Sequence, residues 1–60
     1  MYYTIGSVLT VSVFGGGKRE VKVTQKLPDI KNGQPGFEGI CQETGTNVWG
    51  YDKQIISRHF

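Results

Sequence analysis

Two runs of strict alternation flank three consecutive glycines, and they restrict this chain more than any other feature. Leu9, Val11 and Val13 alternate with Val8, Thr10, Ser12 and Phe14; after Gly15-Gly16-Gly17, Arg19, Val21 and Val23 alternate with Glu20, Lys22 and Thr24. A period of two in β-branched residues predicts strands. Glycine tolerates positive φ, so the triplet suits the tight turn of a hairpin. Val21 and Val23 are expected to face a core while Lys18, Glu20, Lys22 and Lys26 face water, the pattern of an antiparallel strand with one solvated side.

Pro28, which lacks an amide donor, is expected to end the second strand. The stretch KNGQPGFEG, Lys31 to Gly39, then reads as two successive turns. Asn32-Gly33 favours positive φ, and Gln34-Pro35-Gly36-Phe37 matches a type II turn. A third strand follows through Phe37, Ile40 and Cys41, with a bend or bulge expected near Gly39 because the alternation is imperfect there. Glu43-Thr44-Gly45-Thr46 predicts a short hairpin, Val48-Trp49-Gly50-Tyr51 a fourth strand, Asp52-Lys53-Gln54 one helical turn capped by Asp52, and Ile55-Ile56 a closing strand. No segment shows a helical period. Five short strands in 60 residues predict an all-β domain, a small SH3-like barrel with one helical turn before the last strand, because closure removes exposed edges. Residues 1–60 form a single domain in this reading, with residues 1–4 and 58–60 frayed.

A chain of this length buries about 60% of its unfolded surface. With 37% hydrophobic and 12% aromatic residues it can fill one small core, without a deep catalytic pocket beside it. Cys41 is the single cysteine, so no internal disulfide is available, and a reducing, cytoplasmic setting is expected. The apolar segment Val8 to Phe14 is interrupted by Thr10 and Ser12. It is too short to span a bilayer, and no membrane partner is expected.

Two segments resemble known small barrels. IGSVLTVSV (residues 5–13) is similar to the glycine-led first strand of SH3-like and KOW-like barrels. DIKNGQPGFEG followed by VWGYDKQI, within Asp29 to Ile56, resembles a pattern in small proteins of phages and actinobacteria. The resemblance implies the barrel architecture, and the KOW-like element implies a ribosomal or transcriptional context.

Several chemistries are disfavoured by spacing. GGGKRE lacks the phosphate-loop pattern, because Ser12 stands where the first glycine belongs and Arg19 where a serine or threonine belongs, and a strand follows in place of a helix. The amides of NGQPG could form an anion nest, but turn geometry already explains those residues. Cys41 and His59 are the single cysteine and histidine, too few for a zinc site, and Cys41 is expected as a small core residue. The scattered acids Asp29, Glu38, Glu43 and Asp52 offer no acid–base pair. Neither a cofactor nor an enzymatic activity is expected.

Binding remains, and charge placement guides it. The net charge is only +2, yet five bases fall between Lys18 and Lys31, while Phe37 to Asp52 contains three acids and no base. The first expectation is a non-enzymatic module that contacts nucleic acid without sequence preference through Lys18, Arg19, Lys22, Lys26 and Lys31, with an exposed tyrosine as a stacking platform. The alternative is a protein-interaction adaptor or inhibitor of phage type that uses exposed Tyr2, Tyr3, Phe37 and Tyr51. A third is weak homodimerisation through an open strand edge; otherwise the chain is a monomer. Trp49 and Tyr51 share a strand face, and the expectation is Trp49 as the central packing residue with Tyr51 at the rim.

Overall fold

The computed structural model describes residues 3–13 and 15–59. It is all-β: β1 (Val8–Ser12), β2 (Lys18–Lys31), β3 (Gln34–Cys41), β4 (Asn47–Tyr51), a 3-10 turn (Asp52–Gln54) and β5 (Ile55–Arg58). The strands form one antiparallel sheet in the order β4-β3-β2-β1-β5. Backbone hydrogen bonds do not join β4 to β5, so the sheet is not closed by them.

The alternating runs behave as their pattern demands. Leu9 and Val11 of β1 pair with Val21 and Arg19 of β2, and Leu9, Val11, Val21 and Val23 are buried. Phe37 and Cys41 join them from β3. Each such large apolar side chain removed from water contributes about 1.5–3 kcal/mol. The remaining bulk comes from Tyr3, expected as part of a frayed end and found 1% exposed, its ring edge-on to Phe37 at 6.0 Å. The Tyr3 hydroxyl donates to the Asp52 carboxylate, with the Gly36 carbonyl 3.2 Å away. Burial, then the carboxylate, push its ionisation well above the ordinary tyrosine range. The other end is also tied down, since β5 runs to Arg58 and the His59 amide donates to the Val8 carbonyl.

The centre of the chain departs from the turn assignment. Asn32 (φ 56°) and Gly33 (φ 72°) alone make the β2–β3 turn, with Lys31 paired to Gln34. Positive φ at both central residues is the geometry of a tight hairpin. Gln34 to Phe37, expected as a second turn, is strand. Gly36 is needed there for space, because a Cβ would lie 2.3 Å from the Gly50 carbonyl oxygen and 2.4 Å from Ile30 Cγ2. Pro28 does not end β2. It sits in a bulged stretch where Pro28, Asp29 and Ile30 stand opposite Pro35, between the Leu27–Gly36 and Lys31–Gln34 pairs, and a bulge tolerates the missing amide.

A second irregularity matters more for the surface. The irregularity expected near Gly39 is found there: the β2–β3 register shifts between the Val23–Gly39 and Gln25–Glu38 pairs, with Thr24 on β2 as the extra residue. One inserted residue reverses the face of everything beyond it. Lys22 therefore points outward, whereas Lys26, paired with Phe37, returns to the inner side. There its ammonium donates to the Tyr3 carbonyl and lies 4.5 Å from the Tyr3 ring centroid.

Candidate functional site

The expected basic strand face is divided. Lys18 and Lys22 lie on the outer face of β2. Arg19, opposite Val11, shares the parity of the core and forms a 3.5 Å ion pair with Glu43. Lys26 packs on Tyr3, and Lys31 stands at the hairpin, its ammonium 5.6 Å from the Trp49 ring centroid. The register separates these five groups, so no single patch contains them.

The aromatic set divides as well. Tyr3 and Phe37 are core residues and leave the surface; Tyr2 lies outside the described residues. Tyr51 is half-buried, and Trp49, expected at the centre of the core, is 51% exposed. The reason is strand phase. Phe37 faces Gly50 across β3 and β4, and a Cβ on Gly50 would come within 2.9 Å of Phe37 Cζ. With Gly50 and Val48 turned inward, Asn47, Trp49 and Tyr51 must turn outward.

This phase assembles a compact group on the outer face of β3 and β4. Trp49 and Tyr51 meet edge to face at 5.5 Å. Lys31 lies over the indole and Lys53 over the Tyr51 ring, 5.2 Å from its centroid. Cation–π pairs at exposed sites contribute about 0.5–1 kcal/mol each, a modest bias toward keeping the ammonium groups beside the rings. Glu38 is the direct cross-strand neighbour of Trp49. A groove of about 480 Å³ runs beside the indole, with Thr24, Ile30, Lys31, Glu38 and Asn47 among its lining residues. Two ring systems flanked by cations can stack planar groups and attract anions. Sequence reasoning missed Lys53, the residue after Asp52, because the 3-10 turn alone brings it back over Tyr51.

A second concavity, about 560 Å³, opens on the inner side between β1 and the free edge of β4, lined by Val11, Val13, Val21, Phe37 and Val48. Gln54 bridges its mouth, its Oε1 accepting the Tyr51 amide at 2.8 Å and its Nε2 donating to the Ser12 carbonyl at 2.9 Å. The Tyr51 amide thus points away from β3, and Trp49, two residues earlier, turns its backbone amide and carbonyl to the same open side. Cys41 lies at this concavity, itself buried. Hydrogen bonds from the Thr44 side chain and amide, then the Glu43 amide, lower its thiol to about 7 against the opposing effect of burial. Among the described residues, no group of three or more His, Cys, Asp or Glu side chains could hold a metal ion.

No family model, curated protein or solved structure matches this chain.

Proposed function

We propose that the chain is a small non-enzymatic binding module of SH3-like barrel type that holds single-stranded nucleic acid against Trp49 and Tyr51. The strand order, the 3-10 turn before the last strand and the Gln54 bridge across the open side support the barrel reading. The observation that carries the function is the half-exposed Trp49 indole, edge to face with Tyr51 and flanked by Lys31 and Lys53. Bases stack on such rings whatever their identity, while the ammonium groups meet the phosphates. Compared with the sequence expectation, the partner class is retained and the surface moves from the outward lysines of β2 to β4 and its flanks.

The test is titration of dye-labelled short single-stranded oligonucleotides, read by their fluorescence anisotropy in every variant and, where Trp49 is present, by its indole fluorescence as well. Stacking contributes about 1–3 kcal/mol per base, so Trp49→Ala should weaken binding about ten-fold or more. With two phosphate contacts the slope of log affinity against log salt should be about −1.4, at about 0.7 per contact on single strands. Lys31→Glu and Lys53→Glu should each flatten that slope. An indole signal unmoved by any oligonucleotide at low salt removes the proposal.

A protein-binding reading is supported by a different observation, the apolar concavity beside the open backbone of β4. An extended peptide could add to that edge, with alternate side chains in the concavity. Binding of that kind would show little salt dependence and would survive reversal of Lys31 and Lys53.

A further inference from the structure

Glu38 is out of place on a surface that attracts phosphate. It stands directly opposite Trp49 in the β3–β4 register, where side chains of paired residues start only about 5 Å apart. Its carboxylate has no hydrogen bond or ion pair among the described residues. An unpaired negative charge there weakens any purely electrostatic grip on a polyanion. The groove beside it, about 480 Å³, is large enough for a planar ring and has Glu38, Trp49, Ile30 and Lys31 among its lining residues.

From this juxtaposition we infer that the groove is a base-reading slot selective for guanine. The inference rests on the single-strand reading above and adds a base preference to it. A base stacked against Trp49 turns an edge toward β3, where an ionised carboxylate offers two acceptor oxygens and no donor. Guanine alone presents two adjacent donors on its Watson–Crick edge, N1–H and N2–H, and both can be accepted at once. Adenine and cytosine present one exocyclic amino group beside a ring acceptor, which faces the carboxylate unfavourably. Uracil and thymine present one N–H between two carbonyl oxygens. Bases in single strands are commonly read on this edge while stacked. Lys31, beside the indole, is placed to take the adjoining phosphate.

Substitution at Glu38 separates this idea from simple stacking. The side chain is exposed, so the fold tolerates its replacement. The experiment titrates the full chain at low salt with five-nucleotide strands carrying one central G, A, C or U in a uridine background, followed by Trp49 fluorescence. Wild type should bind the guanine strand about ten-fold more tightly than the others, the scale of one good bidentate contact. Glu38→Ala should equalise the four. Glu38→Gln, which offers one acceptor and one donor, should lose the guanine advantage, since a side-chain amide can pair with an adjacent donor and acceptor on the Watson–Crick edge of any of the four bases. Four equal affinities in wild type, or a guanine preference that persists in Glu38→Gln, overturn the slot and leave the stacking surface standing. No binding to any strand overturns both.

Discussion

Replacing Gln54 by alanine removes the two hydrogen bonds that span the open side of the sheet. One is accepted from the partly buried Tyr51 amide and the other is donated to the Ser12 carbonyl. Each is worth about 0.5–1.5 kcal/mol net, so the loss should total about 1–3 kcal/mol. Against a total stability of about 3–9 kcal/mol expected for this length, that is a large share. In a domain this small, 1 kcal/mol displaces Tm by about 4–8 °C, so Gln54→Ala should melt roughly 5–20 °C lower. Gln54→Glu discriminates further. Its carboxylate still accepts from Tyr51 but sets an oxygen against the Ser12 carbonyl, so at neutral pH the variant should be less stable than wild type. Below an ordinary glutamate pKa of about 4.3 the protonated oxygen can donate again, and the deficit relative to wild type should shrink. Urea titrations by circular dichroism at pH 3.5 and 7 measure both effects, and amide exchange at Tyr51 reports the local bond. Should Gln54→Ala stay within about 0.5 kcal/mol of wild type, as a neutral surface substitution does, the bridge holds nothing and the core alone keeps the two ends together.

Two further outcomes follow from the packing. Gly36→Ala forces a Cβ against the Gly50 carbonyl and Ile30, and because the first obstacle is backbone the cost should reach about 3 kcal/mol or more; a folded amide spectrum at wild-type stability would contradict the close approach of β3 and β4. The Cys41 thiol, lowered from 9.0 to about 7, contributes stability that is fully present above pH 9 and lost as pH falls through 7. The urea midpoint of wild type should therefore rise between pH 7 and 9, while that of Cys41→Ala should not follow it.

Much of this architecture is written in local chemistry. β-branched alternation around Gly15-Gly16-Gly17 dictates the first hairpin, Asn32-Gly33 dictates the second because both residues accept positive φ, and Asp52-Lys53-Gln54 marks the turn before the last strand. Burial of Val11, Val21 and Val23 follows from the same alternation. The candidate surface was not legible in this way. Lys18, Arg19, Lys22, Lys26 and Lys31 look like one basic segment in the chain, and a single inserted residue, Thr24, is enough to turn Lys26 inward onto Tyr3. The broken alternation at Gly39 marks an irregularity there but not which strand carries the extra residue, because that is fixed by how two strands register against each other.

What the sequence determined by itself is the number and order of the strands and the Asn32-Gly33 turn, for these depend on φ preferences and on side-chain spacing within a few residues. The run of β2 past Pro28 and of β3 through residues 34–37 needed the partner strand. Which aromatic rings fill the interior was decided only in three dimensions. Tyr3 enters from the chain end and Phe37 lies across Gly50, its ring edge-on to Tyr3. Strand alternation then leaves Trp49 on the opposite face, in contact with water, because its neighbours Val48 and Gly50 are the residues turned inward.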